Sequence, residues 1–395
     1  MGIARQIARN IVKPRWGDLP PEAIHWCKVA LMDTLGCALA GSREDAPSLL
    51  REITQPAAGD CLMLGTRLRA PCLDVAQING AAAHVMNFDN TAAQFAGHIS
   101  AVLIPALLAE GEAHHKRLKD LLLAHAVGYE AGCRIGSAAN IGLYRSEKGW
   151  HPNSTLGVFA VAAACAPLLE LNAAQTEAAL ALAASLSAGI KANFGTMTKP
   201  LHAGERARNG IMAVLLARRG FSAHPEAFEH KQGYLSLYNG AGHFEAARVN
   251  AFRVQPFEVV KPGASYEQYP CCYSTQAAIE AELTLTRKHG AFDAATIAKV
   301  ETGTPALGLS YTKRPQPQSD LDAKFSVQYC VTRALTESKV VLEYFEHEAF
   351  KQRVPQSLLP RVRSEVYTGQ MFDPDDPFDA ELKLTLTDGQ VLDRK

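Results

Sequence analysis

Apolar residues recur at every third or fourth position over most of the first 250 residues, which is the spacing of one face of an α-helix. Ala and Leu, both strong helix formers, are frequent in this part of the chain. A first long helix is predicted from Pro21 to Gly41, because proline is favoured at the first helical position. Further helices are predicted over residues 72–84, 101–113, 118–136, 155–169, 173–189 and 204–219.

The pattern changes near residue 252, where Ala becomes sparser and β-prone and turn-forming residues become more frequent. Strands are predicted over residues 296–302, 364–368 and 380–387, and mostly helical segments over 323–335 and 337–345. In the last strand Leu382, Leu384 and Leu386 alternate with polar residues, and Asp388-Gly389 then indicates a hairpin. The sequence therefore predicts a mainly α protein, with an all-helical domain over residues 1–252 and a smaller α+β domain over residues 253–395.

Charge, hydropathy and cysteine usage narrow the class of protein. Lys and Arg together number 40, as do Asp and Glu, so the formal net charge is zero and neither nucleic acid nor an anionic membrane is expected as a partner. The N-terminus has no signal-peptide apolar region, and the most apolar stretch, residues 158–190, is interrupted by polar residues. We therefore expect a cytoplasmic protein without a membrane span. Nine cysteines at irregular spacing, with no CxxC pair, indicate reduced thiols and no metal site.

Short motifs for nucleotides, zinc hydrolysis and serine hydrolysis are absent from the sequence. It has no GxGxxG after a strand, no GxxxxGK[ST], no HExxH and no GxSxG. Polar clusters lie instead where the helical pattern is interrupted, which is where binding groups concentrate. They cover residues 87–91 with 97–100, 149–157, 193–209 and 324–329.

The titratable side chains in these clusters favour acid/base chemistry on an anionic substrate. His98 and His151 have reference pKa values of about 6.5, which suits proton transfer at neutral pH. Lys199 lies close in sequence to two further potential cations, His202 and Arg206, and these groups suit an anionic ligand. No metal-ligand spacing is present among them, so cofactor-free chemistry is favoured. Taken singly, each of these residues also has a simpler interpretation as a helix cap or a solvated charge.

Four blocks of sequence in these clusters resemble the MmgE/PrpD family, which includes 2-methylcitrate dehydratase, cis-aconitate decarboxylase and iminodisuccinate epimerase. The blocks, in the family's order, are GWHPNSTLGVF from residue 149, NFGTMTKPLHAGERARNG from 193, YPCC from 269 and KFSVQY from 324. The resemblance extends over nearly the whole chain. It implies a large all-helical domain that carries most of the site, a smaller α+β lid domain, a homodimer, and no metal or organic cofactor.

The resemblance also implies which residues form the site. The family's catalytic positions correspond to Asp89, His98, His151, Lys199 and Tyr329. Asp89 is expected to act as a base or to orient a histidine, and Tyr329 to act as a donor or acid. We predict that the substrate is held by further residues close to these positions in sequence, Thr91, Asn153, Ser154, Thr198, His202 and Arg206, and by Cys272 of the YPCC segment.

The chain departs from the family pattern at several positions. Ile99 stands where the family often has Pro, and Asn90 where it often has a second acidic residue. Some members have Lys at the position of Glu267, and many have His at that of Gln276. We also expect the family's C-terminal helical tail to be missing, because the chain stops soon after the predicted hairpin.

The chemistry that the resemblance implies is a carbanion-like or enediolate state beside a carboxylate, which requires fixed cations or hydrogen-bond donors. We predict first a lyase that dehydrates a citrate-like polycarboxylate, as 2-methylcitrate dehydratase does, because elimination uses both a base and an acid. The runner-up is an isomerase that epimerises an amino-dicarboxylate such as iminodisuccinate. A lyase that decarboxylates cis-aconitate and an inactive, carboxylate-binding relative are the remaining alternatives.

Overall fold

The chain divides into two compact units in the computed structural model, which describes residues 2–54, 58–139, 147–240, 242–251, 257–366 and 380–394. The first unit comprises Met1–Asn193 and Met197–Tyr266, and the second Phe194–Thr196 and Glu267–Lys395. The domain boundary predicted between residues 252 and 253 lies outside the described residues. The predicted fold class, mainly α with a smaller α+β part, is confirmed.

The first unit is built from helices, with two short β-pairs. Its helices are α1 (Ile3–Ile11), α2 (Pro21–Gly41), α3 (Asp45–Thr54), α4 (Cys72–Val85), α5 (Ile99–Ala113), α6 (Leu118–Ala139), α7 (Pro152–Thr155), α8 (Gly157–Leu168), α9 (Ala173–Ser185), α10 (Thr198–Arg218) and α11 (Tyr234–Asn239). Short 3-10 helices are Trp16–Asp18, Lys191–Asn193 and Ala246–Ala251. Strand β1 (Cys61–Leu62) pairs antiparallel with β2 (Arg69–Ala70), and β3 (Thr91–Ala92) with β4 (Ala264–Ser265).

Two helices differ from their predicted bounds in ways that affect the site. The helix predicted over residues 155–169 is divided at Leu156 into α7 and α8, and α7 places Asn153 and Ser154 in the interior. Helix α10 begins at Thr198, six residues before the predicted start at residue 204. Pro200 is compatible with this earlier start, because the first turn of a helix has backbone N–H groups without intrahelical partners.

Close packing between small residues holds the first unit together. Helix α8 is buried at every residue except Pro167 and packs against α5, α6, α9 and α10. Helices α4 and α10 approach so closely that a Cβ atom on Gly204 would lie 2.1 Å from the carbonyl oxygen of Gln77. A Cβ atom on Gly80 would lie 2.8 Å from the Cα atom of Gly204. The crossing therefore requires glycine, and it brings the end of α4 beside the first turns of α10.

Helix α2 has the length and the apolar composition of a membrane span, and it meets that description by these two properties alone. One face, which includes Cys27, Ala30 and Thr34, is buried and packs against α4 and α6. The opposite face leaves Met32 and Leu39 exposed. A core helix of a soluble protein meets the same two criteria.

The second unit combines a four-stranded sheet with helices. Its strands are β5 (Ile297–Thr304), β6 (Val362–Val366), β7 (Glu381–Leu386) and β8 (Val391–Arg394), in the order β6-β5-β7-β8. Only the β5–β6 pairing is parallel among these strands. The helices are α12 (Gln276–His289), α13 (Ala306–Thr312), α14 (Asp320–Ala323), α15 (Val327–Glu337) and α16 (Arg353–Leu358). The 3-10 helices are Tyr273–Thr275, Ala294–Thr296, Leu342–Phe345, Ala349–Lys351 and Leu359–Arg361.

The alternating leucines of β7 behave as predicted. Leu382 and Leu384 are buried against β5 and the helices, and Gly389 takes a positive φ of 89° in the turn that leads to β8. The helical segment predicted over residues 337–345 is wrong for its first half. Helix α15 ends where Ser338 adopts the left-handed conformation, and only Leu342–Phe345 forms a 3-10 helix. The predicted strand over 364–368 coincides with β6 up to residue 366, and its last two residues lie outside the described residues.

Candidate active site

Four side chains of the first unit form a closed ring of hydrogen bonds that begins and ends at His98. The backbone N–H of His98 donates to Oδ1 of Asn153 at 2.8 Å, and Nδ2 of Asn153 lies 3.2 Å from Nε2 of His84. Nδ1 of His84 lies 3.0 Å from Oδ2 of Asp89, which is also 3.1 Å from Nδ1 of His98. Nδ1 of His98 in addition lies 2.9 Å from the backbone carbonyl oxygen of Asp89. All four residues are therefore linked without an intervening group.

The directions of these bonds determine where the protons lie. A backbone N–H only donates, so the amide oxygen of Asn153 faces His98 and its NH₂ group faces His84. Nε2 of His84 therefore accepts, which places the proton of this ring on Nδ1. A backbone carbonyl only accepts, so Nδ1 of His98 also carries a proton. When His98 is neutral, its Nε2 atom has a free lone pair.

Burial and the neighbouring charges agree with this pattern. Burial lowers the pKa of His84 to about 3, so the ring is neutral at physiological pH. Burial alone would raise the pKa of Asp89, but the charges and hydrogen bonds of His84 and His98 outweigh it and lower the pKa. Asp89 is therefore an ionised, buried acceptor of two N–H groups. The side chain of His98 is 12% exposed, and Nε2 has no hydrogen-bond partner among the described residues.

A second pair of imidazoles lies next to this ring. Nδ1 of His151 is 2.9 Å from Nδ1 of His202, so one nitrogen donates and the other accepts. The ring of His151 is stacked against that of His84 with centroids 6.1 Å apart. Burial, reinforced by nearby positive groups, lowers the pKa of His151 well below its ordinary value and that of His202 to about 4. Both rings are therefore neutral at rest.

Lys199 contributes an ammonium group beside these histidines. It lies on the first turn of α10, is buried, and donates to Oδ1 of Asn87. After burial, which is the larger cause, its positive charge also lowers the pKa values of His84, His151 and His202. Asn87 adopts a left-handed conformation with φ of 49°, which asparagine tolerates better than most residues.

Three buried donors around this cluster have no hydrogen-bond partner among the residues that the structure describes. They are Nδ2 of Asn87, Oγ of Ser154 and Nε of Arg206. Ser154 and His202 both lie against Gly189, because a Cβ atom there would be 2.2 Å from Oγ of Ser154 and 3.2 Å from Cδ2 of His202. Buried donors without partners are costly, so their presence in one region indicates a ligand rich in acceptor atoms.

The local backbone explains how these residues meet. His98 precedes α5 and His151 precedes α7, so each stands at the start of a helix. The segment from Gly149 to His151 pairs with residues 189–191, and the N–H of His151 donates to the carbonyl of Gly189 at 3.1 Å. A Cβ atom on Gly97 would lie 2.4 Å from Oδ1 of Asn153, so glycine is required where the amide approaches the chain.

Asn90 connects the site to α2. It donates to Asp33 through its backbone N–H at 3.1 Å and through Nδ2 at 2.7 Å, and it accepts from Oγ of Ser100 at 2.9 Å. Burial raises the pKa of Asp33, and the charge of Asp89 acts in the same direction. A second acid in place of Asn90 would set two carboxylates against each other, whereas the amide donates to the one already present.

Three side chains of the site are close enough together to be considered as metal ligands. His84, Asp89 and His98 each place one potential ligand atom within 4.8 Å of the others. Both Nδ1 atoms, however, carry protons that are directed at Asp89, and hydrogen bonding accounts for the spacing. A metal would have to displace these protons. We therefore interpret the cluster as hydrogen-bonded and assign no metal to it.

The predicted site residues fall into two groups. The first unit brings together Asp89, His98, His151 and Lys199, along with Asn153, Ser154, His202 and Arg206. Thr91 lies on β3 two residues after Asp89, and Thr198 is the first residue of α10.

Tyr329 and Cys272 belong to the second unit. The hydroxyl of Tyr329 donates to the carbonyl of Tyr344 at 2.5 Å and accepts from Nε of Arg333 at 3.0 Å. Burial raises its pKa to about 12. The backbone N–H of Cys272 donates to the carbonyl of Lys324 at 2.9 Å.

His84 and Asp33 are the residues that the sequence did not identify. His84 lies near the end of a strongly apolar helix, where a histidine reads as a core or terminal residue. The one sequence feature that could have indicated its role is its spacing of five residues from Asp89, because the turn after α4 brings Asp89 back to the end of the helix. Asp33 lies on α2, and no pattern linked it to a segment 57 residues away.

Comparison with known protein families agrees with the fold. The MmgE/PrpD N-terminal domain matches residues 5–247 and the MmgE/PrpD C-terminal domain matches residues 269–395. A cis-aconitate decarboxylase of Homo sapiens is 27% identical over 405 residues, which cover 99% of this chain and 82% of that protein. One of Mus musculus is 29% identical, with 82% of this chain and 67% of that protein covered. One of Aspergillus terreus is 25% identical, with 87% and 74% covered.

The chain therefore belongs to the MmgE/PrpD family. The relatives named above are lyases, and lyase chemistry of this family is the coarse activity that the comparison supports. The comparison gives no specific support to dehydratase activity, which was the first prediction from the sequence.

Proposed function

We propose that the protein is a cofactor-independent lyase that removes CO₂ from a small unsaturated tricarboxylate such as cis-aconitate. The observation that carries the proposal is the set of three buried donors that have no hydrogen-bond partner among the described residues, on the same segments as Lys199 and the site histidines. Nδ2 of Asn87, Oγ of Ser154 and Nε of Arg206 suit the acceptor oxygens of carboxylates. The similar cis-aconitate decarboxylases support the choice of decarboxylation over the other reactions of the family.

The chemistry requires one proton and a place for negative charge. When a carboxylate leaves as CO₂, the C–C bond breaks and its electron pair shifts the double bond, adding negative charge to the carbon beside another carboxylate. Fixed cations and donors stabilise such a state without reorganising. Lys199 and Arg206 hold the carboxylates in this scheme. The pair of His151 and His202 takes up one proton from water when the anionic substrate is bound, and His151 delivers that proton to carbon. One proton is consumed in each turnover.

The test is incubation of the purified protein with cis-aconitate, followed by proton NMR and by measurement of CO₂. We expect loss of the substrate, a dicarboxylate product with one carbon fewer, and CO₂ in equal amount. In weakly buffered solution the pH rises as protons are consumed. No CO₂ from cis-aconitate, at enzyme concentrations that bind it by thermal shift, would contradict the proposal.

Dehydration of a citrate-like hydroxy-tricarboxylate is a second candidate because of one specific observation. The free lone pair on Nε2 of His98, supported by Asp89, is the arrangement of a general base, and elimination requires a base whereas decarboxylation does not. An enoate that accumulates from methylcitrate or citrate without CO₂ would favour this reaction. Deuterium that enters recovered substrate from D₂O, without an unsaturated product, would favour epimerisation instead.

The remaining expectations from the family resemblance stay proposals. We propose that the protein acts as a homodimer in the cytoplasm and requires no metal. For the metal, dialysis against EDTA is the direct test, and we expect it to leave turnover unchanged because hydrogen bonds account for the spacing of His84, Asp89 and His98. Activity that is lost on dialysis and restored by a divalent ion would contradict this.

A further inference from the structure

We propose that His84 is a positioning residue whose hydrogen bonds to Asp89 and Asn153 keep His98 in the state of a base, with a proton on Nδ1 and a free lone pair on Nε2. The inference rests on the second candidate under the proposed function, dehydration, in which His98 is the base. His84 does not need to touch the substrate for this role. It acts through the carboxylate that it shares with His98.

The first step concerns why His84 is locked. Its ring is fully buried, both of its nitrogens are engaged, and each engagement has one possible direction. Asn153 is fixed in turn by the backbone N–H of His98, which closes the ring and leaves no freedom to exchange donor and acceptor. A histidine held in this way gives Asp89 one N–H without adding a charge.

The second step concerns the effect on Asp89 and His98. A carboxylate that accepts hydrogen bonds from two N–H groups stabilises a positive charge on either partner less than a carboxylate that accepts from one. His84 therefore moderates the attraction of Asp89 for a proton on His98. If the N–H of His84 is removed, the less compensated carboxylate favours the imidazolium form of His98. The free base on Nε2 is then lost over a wider range of pH.

Other charged groups face this cluster and are unchanged by substitution at His84. Asp33 on α2 interacts electrostatically with His98, and His151 and Lys199 lie on the other side. Asp33 favours a protonated His98, whereas Lys199 and a protonated His151 oppose it. Since all three remain in the variants below, any change in the titration of His98 reports the loss of the His84 contact.

Two variants of His84 separate its two hydrogen bonds. In His84→Asn the amide NH₂ stands near the position of Nδ1 and can still donate to Asp89. In His84→Gln the amide oxygen stands near the position of Nε2 and can still accept from Asn153, but the donor to Asp89 is lost. We expect the pH midpoint at which the His98 ring becomes protonated, followed by ¹⁵N NMR, to rise by about one unit in His84→Gln and to stay near its original place in His84→Asn. KM should change little in both.

A measurement on the unmodified protein keeps the inference testable if either variant fails to fold. Histidine labelled with ¹⁵N, observed by NMR in the absence of substrate, should show His84 with its proton on Nδ1 and no titration between about pH 5 and pH 9. This readout does not depend on which reaction the enzyme catalyses, so failure of the proposed function leaves it intact. A His84 ring protonated on Nε2, or one that titrates near neutral pH, would overturn the inference. Identical titration curves of His98 in the two variants and the wild type would also overturn it.

Discussion

At the scale of single residues, the site consists of buried polar groups whose protonation follows from hydrogen-bond direction. His151 is buried and neutral at rest, and its Nδ1 atom lies 2.9 Å from Nδ1 of His202. Its substitution by Gln removes the proton donor that the proposed reaction needs. We expect kcat to fall by roughly 10²- to 10⁴-fold, the usual contribution of a general acid.

The control for this substitution is His289→Gln, at the exposed end of α12. It removes an exposed histidine of the second unit that is not among the site residues, so its turnover should equal that of the wild type. Circular dichroism verifies that both variants fold. A folded His151→Gln enzyme with normal kcat would show that another group supplies the proton.

Glu282 offers a second prediction at this scale, on stability. It lies on α12, is fully buried, and neither carboxylate oxygen has a partner among the described residues. Burial raises its pKa well above the ordinary value of 4.5. The folded state therefore keeps a proton that the unfolded state has lost, and the free energy of unfolding falls as the pH rises above about 4.5.

Glu282→Gln removes this dependence, because a neutral amide resembles the protonated acid and does not ionise. Chemical denaturation at about pH 5 and about pH 8 should show a smaller loss of stability for the variant than for the wild type. Glu343→Gln, an exposed acid of the same unit, serves as the control. Equal pH dependence of wild type and Glu282→Gln would rule out the protonated carboxyl.

At the scale of elements, the crossing of α4 and α10 positions the site, because these helices carry His84 and Lys199. Gly204→Ala places a methyl group against the backbone of Gln77 and forces the helices apart. We expect a loss of about 1–3 kcal/mol in the free energy of unfolding, together with a lower kcat. Thermal unfolding and initial rates measure the two effects.

Gly17→Ala is the control for this substitution. Gly17 lies in the 3-10 helix Trp16–Asp18, is exposed, and would have no atom of the described residues within 4 Å of an added Cβ. Alanine there should raise stability by about 0.5–1 kcal/mol, because it restricts the unfolded chain. If both glycines tolerate alanine equally, the close approach at Gly204 does not constrain the crossing.

The sequence predicted the longer helices of the first unit and α15 because their apolar spacing is regular, and it predicted the β7–β8 hairpin from alternation and the Asp-Gly turn. It did not predict α1, α3 or α12. The sequence also pointed to Asp89, His98, His151 and Lys199, since each lies where the periodicity is interrupted, and their role in catalysis stays a prediction. It did not predict the early start of α10, because Pro200 resembles a break and only the first turn of a helix accommodates it. His84 escaped notice because its chemistry arises from a contact with the turn that follows α4, and periodicity carries no information about that contact.

At the scale of the whole molecule, α2 presents an apolar face outward. Met32 and Leu39 lie seven residues apart on that face and are 74% and 53% exposed. Since the net charge is zero, no long-range repulsion opposes the approach of a second copy. The family resemblance implies a homodimer, and we expect this face to be covered by one.

Sedimentation velocity tests this expectation. The wild type should sediment as a dimer, and the double variant Met32→Glu with Leu39→Glu should shift toward monomer, because two charges would be buried at the contact. Leu237→Glu, which alters an exposed leucine of α11, is the control. A monomeric wild type, or a double variant that remains dimeric, would place the contact elsewhere.

The pairing of two imidazoles through their Nδ1 atoms also sets a stoichiometric limit. Only one hydrogen fits between the Nδ1 atoms of His151 and His202. If both rings were imidazolium ions, two N–H groups would point at each other. The pair can hold one extra proton and no more while the contact lasts. The pair therefore delivers one proton to carbon in each turnover, and water must protonate the pair again before the next turnover.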